Sequence, residues 1–254
     1  MLTIITTTRD NTDELGRTFT SLVEQDTRSF EWLIYDGSRH TPIDELNHFA
    51  DTATGHGISA SVIHALDTSI YAAMQNSIKY AKGEWCLFLN CGDMLCHKST
   101  IAHISKHIQP SVDMIYGGNI YIDVDHTVHY HPGSSPEKIK QVLETGETPY
   151  YYHMVCQQSI AYRLSLLRSL PLYPADLRLA ADHNHFLRTI HSTPNVLFTN
   201  MPISIYFGGG SSHRYILNTY YEWMYNNIAF IGENAKLHDL CDHYLDLISS
   251  QIQE

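Results

Sequence analysis

The sequence has no run of about eighteen apolar residues, so it offers no membrane-spanning helix. No Gly-x-Gly-x-x-Gly follows its first strand-like segment and no Gly-x-x-x-x-Gly-Lys-[Ser/Thr] occurs, which removes the dinucleotide-binding and P-loop readings. Its 17 histidines include no His-Glu-x-x-His pair. The nearest clusters (His126, His129, His131; His183, His185) lie in polar or helical stretches, where surface or hydrogen-bonded histidine accounts for them. Cysteine is sparse: Cys86, Cys91, Cys96, Cys156 and Cys241 make an odd total of five. Their spacing suits neither a disulfide framework nor a zinc site, so they read as reduced thiols of a cytoplasmic protein. Basic residues are few, 16 Lys and Arg against 27 Asp and Glu, for a net charge of -11. That balance excludes a nucleic-acid-backbone binder, which needs a basic surface to displace counterions. The first residues, MLTIITTTRDN, lack a basic start and a cleavage site, and read as a core strand rather than a signal peptide.

What remains is a chain of 254 residues that is 43% hydrophobic, enough for a sizeable core. It fits one large domain, or one domain with a helical extension. The acid surplus has a chemical corollary. A phosphate-bearing ligand would need local help from a divalent cation, a helix N-terminus or a few placed Arg and Lys.

The first third alternates strand and helix. Strands are expected at Leu2 to Thr8, Phe30 to Tyr35, Ser59 to His64 and Trp85 to Leu89. Helices are expected at Asp13 to Glu24 (with Asn11 or Thr12 as N-cap), Ile43 to Thr54 and Ser69 to Ala81, the last ended by Lys82-Gly83 as C-cap. This order implies a mainly parallel sheet covered on both faces, with ligands bound outside the carboxyl ends of its strands. Three polar clusters stand at such ends: Thr6 to Asp10, Asp36 to Ser38, and Asn90 to Asp93. They should converge on one rim. The second half is less regular: a strand at Met114 to Tyr121, a polar stretch from Asp123 to Tyr152, a strand at Gln158 to Tyr162, and helices at Leu164 to Leu170 and Ala180 to Ile190. A turn follows at Gly208 to Gly210, and the chain is mostly helical from Tyr215 with an interruption near Gly232.

Several stretches together are similar to a known family: TIITTTRDN, FEWLIYDGS, LDTSIYAAMQNSIKYAKGEWCLFLNCGD, VCQQSIAYR, LAADHNHFLR and, more weakly, GGGSSHR. In order and spacing, from residue 3 to about 214, the chain resembles the inverting family-2 glycosyltransferases of the GT-A fold, in particular the bacterial colanic-acid and capsule polysaccharide-assembly type. The resemblance implies an α/β GT-A domain over residues 1-214 and a C-terminal helical extension over 215-254. It implies transfer of a sugar from a UDP- or GDP-sugar, with inversion and with Mn²⁺ or Mg²⁺, to a glycan or lipid-linked acceptor in cell-surface polysaccharide assembly.

Residue by residue, it implies that Thr6, Thr8, Arg9, Asp36 and Asn90 line the donor nucleotide site. Asp93 is the last acidic position of the DXD-like metal motif, Asp182 the catalytic base, and Tyr71, Gln158 and Arg214 stand on the sugar and acceptor side. The chain departs from the pattern at Asn90, Ala72, Gln75 and Gln157, where relatives usually carry Asp, Asp, Asn and His. The two missing acids leave open an alternative: an inactive GT-A module that binds nucleotide or glycan as an assembly partner.

The chemistry agrees with these roles. A departing nucleoside diphosphate gains negative charge that a hard divalent ion with oxygen ligands can neutralise, and a strand-end carboxylate such as Asp93 is a suitable ligand. Its alternative is a turn or helix-cap aspartate ahead of Met94-Leu95. A partly desolvated Asp182 suits a general base, and helix capping is compatible with that role. His213 and Arg214 follow the glycine run, a place for a lid over the diphosphate, with His213 as a further metal ligand or an exposed loop residue. Asp10 either orients Arg9, contacts the nucleotide or caps a helix. The aromatic segment from Tyr220 to Phe230 is either a helix packed on the core or a peripheral contact with the inner face of the membrane or an assembly partner.

Overall fold

The computed structural model describes residues 1-145, 155-170, 173, 174, 176-193, 195-230 and 237-252. Its parallel half follows the sequence pattern closely. Strands β1 (Leu2–Thr8), β2 (Phe30–Asp36), β3 (Ser59–His64) and β4 (Trp85–Phe88) alternate with helices α1 (Thr12–Val23), α2 (Ile43–Gly55) and α3 (Ile70–Ser77). β1 pairs in parallel with β2 and β4, and β2 with β3. Every residue of β1, β2 and β4 is buried, which is why those strands read as continuous runs rather than alternating ones. Asn11 caps α1 by accepting from the Glu14 amide, and Ser69 caps α3 by accepting from Ala72.

One expected helix end differs. The turn after α3 is a 3₁₀ segment, Ile78–Tyr80, and Gly83 does not serve as a left-handed cap. A Cβ there would sit 2.7 Å from the Met1 carbonyl oxygen and from Thr3 Oγ1, so the glycine lets the chain pass close to the start of β1.

The other half of the sheet is antiparallel in part, and its connections are long-range. After β5 (Met94–Leu95) and α4 (Thr100–His107) come β6 (Met114–Ile122), β7 (Val128–His131) and α5 (Pro136–Thr145). β8 (Ile160–Arg163), α6 (Leu164–Ser169), α7 (Ala181–Ser192) and β9 (Val196–Phe207) follow. The chain then forms α8 (Ser211–Arg214), α9 (Ile216–Phe230) and α10 (Leu237–Ile252). The sheet order is β3-β2-β1-β4-β8-β6-β9-β5, with β7 on β6.

The strand expected at Met114 to Tyr121 is β6, whereas β5, α4, β7, α5, β9 and α8 went unread in the sequence. β9 crosses Asn200, Met201 and Pro202, which break the apolar alternation; its pairing with β6 shifts register around Gly118, opposite Pro202. The strand expected from Gln158 starts two residues later, because Gln157–Ser159 forms a 3₁₀ turn. Part of the polar stretch to Tyr152, and the interruption near Gly232, lie outside the described residues. No helix among the described residues is long and apolar enough to cross a membrane.

Candidate functional site

The carboxyl ends of β1, β2 and β4 do meet. The Gly37 amide donates to the Thr8 carbonyl at 2.9 Å, the Cys91 amide to the Thr7 carbonyl at 3.3 Å, and Thr7 Oγ1 to Asn90 Oδ1 at 3.3 Å. Beside this rim opens a cleft of about 1270 Å³, lined on one side by Thr7, Thr8, Arg9, Asn90 and Asp93 and on the other by Asp182, Tyr220 and Trp223. The residues expected from the β1 loop, the Asn90 to Asp93 segment and the second half therefore share one cavity. A cleft at the strand ends is where an open α/β sheet places its ligand.

Asp93 forms the floor. It is 5% exposed, Gln158 Nε2 donates to its Oδ2 at 2.5 Å, and the Phe207 amide donates to its Oδ1 at 3.3 Å. Gln158 is itself oriented by the Cys156 thiol, which donates to its Oε1 at 2.6 Å and turns the amide nitrogen toward Asp93. Burial pushes the Asp93 carboxyl up to about 7, against the hydrogen bonds from Gln158 and Phe207 and the nearby Arg17 charge. The residues after it form β5 rather than a helix, so Asp93 caps nothing. Gly92, at φ +95°, supplies the left-handed step that brings Asp93 round under the rim, and Thr18 Oγ1 anchors the step by bonding the Asp93 carbonyl at 2.8 Å.

Asp182 stands on the opposite wall, in the first turn of α7. Ala180 is the N-cap and contributes no side-chain bond. The Tyr71 hydroxyl donates to Asp182 Oδ1 at 3.0 Å and the His183 amide to the same oxygen at 2.9 Å. Burial raises its carboxyl above the usual range, opposed by these bonds and reinforced by the Glu222 charge. Tyr71 and Gln158, expected on the sugar and acceptor side, thus each touch one of the two carboxylates.

Three expected residues sit elsewhere or do something else. Thr6 is fully buried with its hydroxyl accepting from the Trp32 indole at 3.0 Å; strand alternation turns it away from the cleft and turns Thr7 toward it. Asp36 does not line the cleft. Its Oδ1 accepts the Ser38 amide at 2.9 Å and its Oδ2 contacts His64 Nδ1 at 2.6 Å, so it holds the strand-end turn. Asp10, in the left-handed region at φ +50°, caps no helix and instead accepts the amides of Arg39, His40 and Thr41.

His213 and Arg214 both line the cleft, on α8 just after the glycine run. His213 Nδ1 lies 3.5 Å from the Tyr121 hydroxyl, and Arg214 donates to the Gly209 carbonyl at 3.2 Å. Among the described residues no three His, Cys, Asp or Glu side chains are placed to hold a metal ion together.

The cleft also contains groups that the sequence reading passed over. Arg17 of α1 stacks its guanidinium 4.4 Å over the Phe207 ring and pairs with Glu14 at 3.2 Å. In sequence Glu14 and Arg17 look like an ordinary i,i+3 pair on a solvated helix face, and only the approach of β9 shows otherwise. Asp67, held by Asn76 Nδ2 at 2.6 Å, adds a further carboxylate to the cleft lining.

A β3-β2-β1-β4 parallel half joined to a mixed half, with a cleft across the strand ends, is the architecture of the GT-A fold. Comparison with known proteins bears this out. The profile of the family described as "Glycosyl transferase family 2" matches residues 3–170, and the chain belongs to this family of glycosyltransferases. It is 26% identical over 219 residues to a PGL/p-HBAD biosynthesis glycosyltransferase of Mycobacterium bovis, covering 84% of this chain and 79% of that one. Two solved structures show the shared fold. One is the S. aureus TarS fragment 1-349 in complex with UDP-GlcNAc, with TM-score 0.66 and 15% identity over 90% of this chain and 66% of that one. The other is the mannosyltransferase PcManGT from Pyrobaculum calidifontis in complex with GDP-Man and Mn²⁺, with TM-score 0.64 and 16% identity over 89% of this chain. The chain spans 62% of that mannosyltransferase's length.

Proposed function

We propose that the protein transfers a sugar from a nucleoside-diphosphate sugar to a glycan or lipid-linked acceptor in cell-surface polysaccharide or glycolipid synthesis, with inversion at the anomeric carbon. The carrying observation is the single cleft that sets Asp93 and the β1 rim against Asp182 across one cavity. Donor chemistry is supported by the GDP-Man and UDP-GlcNAc in the two neighbouring structures. The acceptor class is supported by the biosynthetic name of the mycobacterial relative. A place in colanic-acid or capsule assembly rests on the sequence resemblance alone.

In this reading Arg9, Arg17 and Arg214 supply the positive charge that an acidic protein needs around a diphosphate. Asp93 is a buried, hard oxygen donor facing the cleft, and each of its oxygens keeps a lone pair beyond its one hydrogen bond. That donor set fits a Mg²⁺ or Mn²⁺ held through one carboxylate and the substrate's own oxygens, not an all-protein cage. Asp93 would hold the ion with His213 as the candidate second ligand, and the ion would neutralise charge on the departing diphosphate. Asp182 takes the proton of the attacking acceptor hydroxyl on Oδ2, while Tyr71 and the His183 amide fix Oδ1. Its raised proton affinity brings it closer to the working pH of a general base. A single in-line displacement of this kind inverts the reacting centre.

A thermal-shift screen of UDP, GDP and their sugars, with and without Mn²⁺, tests the reading, because a ligand of the native state raises its stability. Stabilisation by one nucleotide series, enhanced by Mn²⁺ and lost in Asp93→Ala, is the expected result. Undiminished sugar transfer by Asp93→Ala in excess chelator would sink the metal role, and binding without turnover across donors would favour the inactive module.

A further inference from the structure

Glu222, on α9, lies beyond the span the family profile matches. Its carboxylate accepts three successive backbone amides: Arg178 at 3.0 Å on Oε1, and Leu179 at 2.8 Å and Ala180 at 2.7 Å on Oε2. Three consecutive N–H groups aimed at one anion form a backbone nest, and here the anion belongs to the protein. One turn further along α9, the fully buried Asn226 donates to the Ala180 carbonyl at 2.8 Å and accepts from Asn184 at 3.0 Å. The chain entering α7 is therefore gripped from α9 on both sides of Asp182. The same helix brings Tyr220 and Trp223 to the cleft wall.

We propose that Glu222 is a positioning residue for Asp182: it clamps residues 178-180 so that the Asp182 carboxylate faces the cleft, and it sets a negative charge beside that carboxylate. This rests on the reading of Asp182 as the base. On this view α9 is part of the catalytic unit rather than an appendage to it. The clamp holds the amides of the segment that leads into α7, so the start of a helix whose N-cap, Ala180, makes no side-chain bond is fixed from α9. The remaining titratable groups that face Asp182 are Tyr71 on α3, Cys156, Tyr162 on β8, Tyr173 and Tyr206 on β9. Burial holds the proton on each of them, and Arg188, further along α7, faces Tyr162 and Tyr173. Glu222 is a charged neighbour that adds to the effect of burial in raising the proton affinity of Asp182.

The test uses the full chain, the UDP- or GDP-sugar that the screen selects, and pH profiles of transfer for Glu222→Gln, Glu222→Asp and Asp182→Asn. Glu222→Gln removes the charge and one strong acceptor. The acid limb of its kcat/KM profile moves to lower pH, since a base without a nearby anion binds its proton less tightly, and kcat falls about tenfold while donor KM holds. Glu222→Asp keeps the charge but shortens the reach, so kcat falls with the limb in place. An unchanged limb and kcat in Glu222→Gln overturns the proposal. So does a parallel loss of donor affinity, or failure of both variants to fold, either of which would make the clamp a matter of overall stability. Asp182→Asn separates the two readings. If it transfers as well as the parent, the base assignment itself fails; if it is inactive and Glu222→Gln is not altered, only the clamp fails.

Discussion

The two walls of the cleft are built in opposite ways. The wall supplied by the first half is assembled from strand ends that lie side by side in a parallel sheet, and its contacts are short links between neighbouring turns: Gly37 to Thr8, Cys91 to Thr7, Thr7 to Asn90. The wall supplied by the second half is assembled from α7 and α9, which meet only in tertiary structure and are joined through Glu222 and Asn226. A strand end in a parallel sheet has its position set by backbone pairing on both sides, so polar residues there gather on one rim whatever their side chains. A helix start has no such ladder, and needs a partner to satisfy its amides.

The largest expected effects break that comparison cleanly. Asp93→Ala and Asp182→Asn should each lower transfer by about 10²- to 10⁴-fold. Thermal-shift titration with the donor should then divide them: Asp93→Ala loses Mn²⁺-dependent stabilisation, whereas Asp182→Asn binds donor as the parent does. Equal loss of donor binding in both would mean that the two walls do not divide the work. A smaller effect is expected at Arg17, whose guanidinium is held over Phe207 in the cleft. If Arg17 meets the diphosphate as proposed, Arg17→Ala should raise donor KM about tenfold, the worth of one hydrogen bond to a charged group, with the acceptor KM steady.

The smallest effect concerns stability and sharpens the contrast within the wall supplied by the second half. His185 on α7 is fully buried against the Tyr162 and Tyr173 rings, its ring nitrogens have no hydrogen-bond partner among the described residues, and burial pushes it down to about 3. Its folded value lies below the ordinary 6.5, so the unfolded chain takes up a proton first as pH falls. The stability it contributes is present above about pH 6.5 and is lost as pH drops from there toward 3. His185→Phe should therefore reduce the fall in Tm between pH 7 and pH 5, measured against the parent. An identical fall in both would show that other groups govern acid unfolding.

Much of the parallel half was legible beforehand. β3 has the expected bounds, α2 differs by one residue, and the Asn90 to Asp93 segment lies at the rim. Local patterns suffice there because burial on both faces writes itself into continuous apolar runs. The legibility stopped at individual side chains. Thr6 and Thr7 are equivalent in composition, and strand alternation decides that the first packs beneath Trp32 while the second reaches the cleft. Asp36 carries the right chemistry at the right strand end, yet it is fully buried against Ser38 and His64 and does not line the cleft. β9 was unreadable because its stability comes from pairing with β6 and not from its own alternation.

Sequence alone determined the alternating first half, the acidic balance, the polar strand ends and the two candidate carboxylates, since these depend on residue type, spacing and motif. Tertiary structure alone decided that Asp93 is buried against Gln158 and Phe207, that Arg17 belongs to the cleft, and that a glutamate forty residues after Asp182 grips the turn before it. The reason is physical. Proton affinity, ion pairing and side-chain aim depend on what lies within a few ångströms, and in this fold those neighbours come from parts of the chain far apart in sequence.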